Sequence, residues 1–265
     1  MPRRRQTSAL ALSTLIALAL LWSHHRNTPP PQLPAAPNQH EPSQILWAWE
    51  TPEDLTTLDP AHTGVAFLAR EVLLSDTFTI RPRYQPLHLA PGTWLMAVVR
   101  IETSSAFHPT PTLIHQTAAA LAAAAAEPNV RALQVDFDAT ASQRDFYAAV
   151  LRELRHNLPP QLPLSITALV SWCGPQSWFH SLPVDEAVPM FFRMGGPATT
   201  RASAPRSQST IAEPLCSGAV GVATDEAWPT IRASQRVYIF HPGSWPKDSL
   251  AHLNNFGYQS LKASP

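Results

Sequence analysis

Charge is scarce in this 265-residue chain: Asp, Glu, Lys and Arg make up only 14% of it, against roughly a quarter in an ordinary globular domain. Lys+Arg and Asp+Glu both number 19, so the formal net charge is zero. That balance excludes a nucleic-acid partner held by overall basic charge. Cysteine is scarcer still, with only Cys173 and Cys216, which excludes a disulfide-dense scaffold and a Cys-rich zinc module. The histidines show no metal-ligand spacing, so neither a metal nor another cofactor is expected. Ser171 lacks the setting of a nucleophile elbow, and no glycine-rich phosphate loop is present. What the chain does have is 45% hydrophobic residues, enough for a sizeable core and against global disorder.

The N-terminus holds the one long apolar run. Arg3, Arg4 and Arg5 precede Ala9 to Trp22, which is interrupted only by Ser13 and Thr14. Basic residues followed by a run shorter than the ~20 residues of a spanning helix fit a secretory signal. Residues 1–27 are therefore expected to be either a cleaved signal peptide or an inner-membrane anchor with its basic end in the cytoplasm. Both place the remainder in the periplasm or beyond. Residues 28–42 carry Pro29, Pro30, Pro31, Pro34, Pro37 and Pro42, a composition that gives an extended spacer. The folded domain is expected over residues 43–265.

Eight short apolar runs, many of their residues β-branched or aromatic, read as strands: Ile45–Glu50, Gly64–Ala69, Leu95–Glu102, Ala132–Asp138, Leu164–Trp172, Ala187–Met194, Ala219–Thr224 and Arg236–Phe240. Helices are expected at Thr112–Glu127, which stops before Pro128, and at Ser142–Asn157, with Ser142 as its cap and Phe146, Val150, Leu151 and Leu154 as its apolar stripe. Strands alternating with helices imply a parallel sheet. Eight of them suggest an α/β fold of the TIM-like (β/α)8 barrel type, with an open α/β sheet as the alternative. Thr77–Leu89 looks extended and Gly195–Pro214 looks like a long loop, so the helices of this barrel should be degraded.

Alternation assigns faces. Leu133, Val135 and Phe137 fall on one side of their strand, and Gln134, Asp136 and Asp138 on the other. The outer face of a barrel strand meets helices, so the apolar set should point out and the aspartates in. Arg100 and Glu102 behave alike on the preceding strand. Buried charges must pair or serve a site, and structural pairing of Asp136 and Asp138 with Arg100 is the competing reading. Glu50, Arg193, Asp225 and Glu226 also sit at or just beyond strand ends, where barrel enzymes do their chemistry. Glu50 could instead lead a helix, and Asp225 with Glu226 could cap one. Trp49 and Trp172 could stack on sugar rings or fill the core. Asp185 and Glu186 precede their strand, so they should lie at the opposite end with a structural role.

Several segments resemble the bacterial domain of unknown function 3142: Trp47-Ala48-Trp49-Glu50, Gly64 to Ala69, Val98 to Glu102, Gln134 to Ala139, Ser165 to Leu169, Ser171-Trp172-Cys173, Leu182 to Met190, and Thr224-Asp225-Glu226. The resemblance covers about residues 45–245 and implies an exported bacterial protein with a barrel similar to glycoside hydrolases. The fourth strand is also similar to that of chitinase-like hydrolases, which carry two aspartates two apart and a glutamate acid two residues later. Asp136 and Asp138 match the aspartates, but Thr140 stands in the glutamate's place, so that mechanism does not carry over.

Two functional readings follow. The first is a cell-envelope, glycoside-hydrolase-like protein acting on a glycan or polysaccharide, with Asp138, Asp136, Glu102 and Glu226 as candidate catalytic carboxyls. Trp49, Glu50, Arg100, Trp172, Arg193 and Asp225 would bind the substrate. The alternative is a non-catalytic carbohydrate-binding or envelope-interaction protein on the same barrel. Cys173 and Cys216 can pair in an oxidising compartment, unless they lie at opposite barrel ends, beyond bonding reach. Export predicts that a reporter fused after Pro265 is active outside the inner membrane; activity confined to the cytoplasm would refute it.

Overall fold

The computed structural model describes residues 41–192 and 207–256. Eight parallel strands form the barrel: β1 (Gln44–Ala48), β3 (Thr63–Leu74), β6 (Leu95–Thr103), β7 (Val130–Asp136), β8 (Leu164–Leu169), β9 (Glu186–Met190), β10 (Ala219–Ala223) and β11 (Arg236–Phe240). β1 pairs in parallel with both β3 and β11, which closes the sheet on itself. Closure removes the exposed sheet edges on which an open sheet would end. The structure is thus the closed barrel rather than the open sheet.

β3 runs five residues past the expected Ala69. Its register against β6 shifts between Leu68 and Arg70, the mark of a β-bulge, and the strand then continues into a hairpin with antiparallel β4 (Phe78–Pro82). Short strands β2 (Glu53–Leu55) and β5 (Leu87–Leu89) form a separate parallel pair. β4 and β5 account for the extended character of residues 77–89.

Among the described residues there are three α-helices. Helix α1 (Pro111–Ala125) starts at Thr110, whose hydroxyl accepts from the Leu113 N–H at 3.2 Å, with proline at the first helical position. Helix α2 (Arg144–Asn157) is preceded by a 3-10 turn over Ala141–Gln143. Ser142 does not cap it as expected. The turn starts two residues earlier, at Thr140, whose N–H donates to the Gln143 side chain at 2.8 Å. The Phe146, Val150, Leu151 and Leu154 stripe is buried as the periodicity requires. Helix α3 is Lys247–Phe256.

Helices α1 and α2 pack with the outer faces of β3, β6, β7 and β8 in one apolar layer that includes Val72, Ala97, Val99, Leu133, Val135 and Ile166. Leu250 and Leu253 of α3 cover Leu46, Val237 and Ile239. Inside the barrel, Ile45, Trp47, Ala66, Trp94, Met96, Val98 and Tyr238 fill the bore. Gly64 is required there, because a Cβ at that position would lie 2.6 Å from Pro42 and 2.9 Å from Trp94. At the N-terminal mouth, Glu186 accepts from Arg236 at 2.7 Å, from Tyr238 at 2.7 Å and from Ser165 at 3.2 Å. Asp185 accepts from the Leu164 N–H at 2.8 Å.

Around β9 no helix is present among the described residues. Residues 170–185 and 207–218, both without α-helix, cover it instead, and their 3-10 turns at Val170–Cys173 and Pro214–Cys216 pack on that strand. The N–H groups of Ala212 and Glu213 donate to the Cys173 carbonyl at 2.8 and 3.0 Å. Cys173 and Cys216 are disulfide-bonded across this seam, with Cα atoms 5.9 Å apart. The expectation that the cysteines might lie at opposite ends rested on Cys173 following its strand and Cys216 preceding its own. Irregular crossovers bring them together on the outer wall.

The bridge closes a sequence separation of 43 residues, and loop-closure entropy for that length stabilises the fold by about 4 kcal/mol. The Cys173→Ala/Cys216→Ala variant should lose stability of that order in urea unfolding of the oxidised chain. Equal midpoints would show that the packing against β9 is sufficient without the bond.

Candidate functional site

The C-terminal ends of the barrel strands surround a cleft of about 540 Å³. Trp47 and Trp49 enter it from β1 and the residue after it, Arg100 from β6, and Asp136 and Asp138 from β7 and its end. Thr167 enters from β8, Met190 from the end of β9 and Phe192 from just beyond it, and Phe240 from β11. One wall is therefore aromatic and the opposite wall carries carboxyls, a hydroxyl and a guanidinium.

Strand register builds the polar wall. Arg100 is in register with Asp136 on one side and with Glu71 on the other, so the three side chains share the inward face. β7 is stiffened from behind by α2: the Tyr147 hydroxyl approaches the Val135 carbonyl at 3.4 Å, and its ring meets Phe137 edge-on at 5.2 Å. The Ala139 N–H closes back on the Phe137 carbonyl at 2.8 Å, a tight turn that fixes Asp138 at the cleft rim.

Thr167 donates to Asp136 at 2.7 Å. Asp136 opens to solvent only through the cleft and is enclosed by protein elsewhere. That burial is the main reason its pKa is raised to about 6. The charges of Asp138 and Glu102 push the same way, while Thr167 and Arg100 pull back. Asp138 is also raised by burial, against the pull of Arg100. Arg100 itself donates from Nε to Glu102 at 2.9 Å and lies 5.9 Å from the Trp49 ring centroid. This geometry ties the charged wall to the aromatic one.

Of the sequence candidates, Asp136, Asp138, Arg100 and Trp49 come together in the cleft. Glu102 is exposed at the rim and paired with Arg100. Glu50 is exposed and faces a neighbouring groove of about 150 Å³, shared with Glu71, Arg81 and Tyr84. Asp225 and Glu226 sit in the turn after β10, where the Glu226 N–H bonds the Ala223 carbonyl at 3.3 Å, outside the cleft wall. Trp172 is corrected outright: it is buried in the outer layer, edge-on to Trp178 at 5.3 Å. The strand expected to reach Trp172 ends at Leu169, and the 3-10 turn over Val170–Cys173 carries the indole outward. Arg193 lies outside the described residues. Among the described residues no group of three or more His, Cys, Asp or Glu side chains could hold a metal ion. No described helix is long and apolar enough to cross a membrane, and the leader lies outside the described residues.

The structure adds residues that the sequence reading missed. Thr167 was accessible to the same logic as Asp136, since Ser165 and Thr167 alternate with Ile166 and Ala168. Trp47, Phe192 and Phe240 carry no polar signal and look like core. Glu71 was hidden by the bulge at Ala69, which reverses the parity of β3; burial and the charges of Glu50 and Glu102 raise its pKa despite its ion pair with Arg81 at 3.4 Å. Thr140 takes part in the turn leading into α2, its hydroxyl 3.1 Å from that of Ser142.

The family model named domain of unknown function 3142 matches residues 91–198, a span that holds Arg100, Asp136, Asp138 and Thr167. A Streptomyces coelicolor protein described as a chitinase A is 10% identical with a TM-score of 0.53, over 83% of this chain and 98% of that one. The chitinase domain of the spore coat protein CotE from Clostridium difficile is 14% identical (TM-score 0.45; 71% of this chain, 61% of that one). The spore cortex-lytic enzyme SleL from Bacillus cereus is 16% identical (TM-score 0.44; 68% of this chain, 50% of that one). The chain thus spans less than two thirds of the latter two. No curated protein matches the sequence. At these identities the likeness is one of fold.

The raised pKa of Asp136 has a thermodynamic signature. Its unfolded value is near 3.8 and its folded value about 6, so between these the native state holds a proton that the unfolded chain has released. Stability from this group therefore falls as pH rises through that window. Asp136→Asn keeps the side chain neutral and should be the more stable protein by up to about 3 kcal/mol at pH 8, with the gap gone below about pH 4. Urea titrations across pH measure this. A variant weaker than wild type at pH 8 would show that Arg100 outweighs burial.

Proposed function

We propose that the cleft takes a glycan chain and that the protein is glycoside-hydrolase-like in activity as well as fold, with Asp138 in the reacting set and Asp136 and Arg100 holding its geometry. One observation carries this reading: an aromatic wall faces two carboxyls of raised pKa in one cleft at the C-terminal end of the barrel. Sugar rings are amphipathic, with C–H faces that suit aromatic rings and hydroxyl edges that suit carboxylates and guanidinium. Cleaving a glycosidic bond needs one carboxyl that carries a proton to the leaving oxygen and another that is ionised to act as base or nucleophile. Two neighbouring carboxyls of unequal burial can divide those states between them. Asp138, at the rim, is the one a ring stacked on Trp49 would meet. The likeness of the fold to the Streptomyces chitinase A structure favours a glycan substrate, and the basic, apolar N-terminus favours an envelope location.

A second reading, non-catalytic glycan binding, is favoured by Thr140. It stands where chitinase-like strands carry their acid and is engaged in the turn before α2.

Hydrolysis and binding of a soluble oligosaccharide panel by wild type and Asp138→Asn decide between the two. Loss of a general acid or its partner costs about 10²–10⁴ in rate, so Asp138→Asn should lose turnover by at least that lower factor while keeping its melting temperature. Binding without turnover, with affinity little changed by the substitution, would establish the second reading. Equal processing by both proteins would place the chemistry elsewhere.

A further inference from the structure

Beneath the carboxyls, a line of hydrogen bonds runs along the barrel bore. The Trp47 indole N–H donates to Gln134 Oε1 at 2.8 Å, and Gln134 Nε2 donates to Ser165 Oγ at 3.1 Å. Ser165 Oγ donates to Glu186 Oε1 at 3.2 Å. The line has a direction. Glu186 is paired with Arg236 at 2.7 Å and its oxygens serve as acceptors, so Ser165 spends its proton on it. Ser165 then accepts, which turns the Gln134 amide nitrogen toward it and leaves the amide oxygen for Trp47. A flipped Gln134 would set two donors against each other at Trp47 and two acceptors against each other at Ser165.

Trp47 is held on its other sides as well. Its ring lies against Tyr238 with centroids 5.2 Å apart and meets Phe192 at 5.9 Å. Beneath it is Gly221, where a Cβ would sit 2.9 Å from Cη2 of the indole. The one open side is the cleft, whose floor Trp47 forms while only 3% exposed.

We infer that Gln134 is a positioning residue: it keeps the Trp47 indole down against Gly221 and so sets the depth of the cleft. Without it the indole N–H is a buried donor lacking a partner, which costs about 1–3 kcal/mol, and the ring relieves this only by tilting toward the water in the cleft. The effect on a ligand rests on the glycan reading; the effect on Trp47 does not.

The test uses the full chain. Gln134→Met matches the volume and removes the acceptor. Acrylamide quenching of fluorescence, taken as the difference between each protein and its Trp47→Phe counterpart, isolates Trp47. Gln134→Met should raise quenching of that share, and so should Gly221→Ala, which pushes the ring from below and remains informative if Gln134→Met does not fold. Unchanged quenching in the folded variants overturns the inference. For any oligosaccharide of the panel that wild type binds, Gln134→Met should weaken binding about tenfold, the equivalent of 1.4 kcal/mol, and have no further effect in the Trp47→Phe background. An equal loss in both backgrounds would mean that Gln134 acts independently of Trp47 and would overturn the inference too. If no oligosaccharide binds, the glycan reading fails while quenching still decides the role of Gln134.

Discussion

A closed barrel leaves little room for water in its bore, so every inward polar side chain must find a protein partner or reach a mouth. Most of the molecule's polar organisation follows from this. At the N-terminal mouth Arg236, Tyr238 and Ser165 converge on Glu186. In the middle, Gln134 spans from Ser165 to Trp47. At the C-terminal mouth Thr167 meets one oxygen of Asp136, and beyond that level satisfaction by protein gives way to the open cleft. Asp136 is the transitional residue: too enclosed to ionise at an ordinary carboxyl pKa, and open enough to meet a ligand. The site's electrostatics is thus a boundary condition of the bore.

The coat around the barrel is uneven. α1 and α2 back the strands that carry Arg100, Asp136, Asp138 and Thr167, and Tyr147 reaches from α2 to the β7 backbone. The candidate site side chains therefore project from strands whose outer faces are well packed, which holds them within narrow limits. Around β9, irregular chain and a disulfide do the covering. The aromatic side of the cleft, with Met190 and Phe192, rises from that looser flank.

All eight barrel strands were legible in the sequence, because each is a short apolar run and its period of two names the inward face. That period placed Asp136, Asp138 and Arg100 correctly in the bore. It failed where local geometry breaks the count. The bulge at Ala69 reverses parity, so Glu71 was invisible. Leu169 leaves β8 and the chain turns into a 3-10 segment, so Trp172 packs outside rather than at the mouth. Phe192 and Phe240 could not be told from core, since an aromatic residue reads alike whether its neighbour is leucine or a vacant cleft. Pairing of Cys173 with Cys216 depended on the course of two irregular crossovers, which no periodicity describes.

The covalent seam over β9 makes the completeness of this fold depend on its surroundings. Thiols in a reducing compartment stay apart, and the flank carrying Met190 and Phe192 is then held by loop packing alone. Oxidation draws residues 170–185 and 207–218 into one sheath. For a chain with such a seam, the last stabilising step awaits an oxidising environment. The redox state of this one bond therefore sets how firmly the aromatic half of the cleft is held.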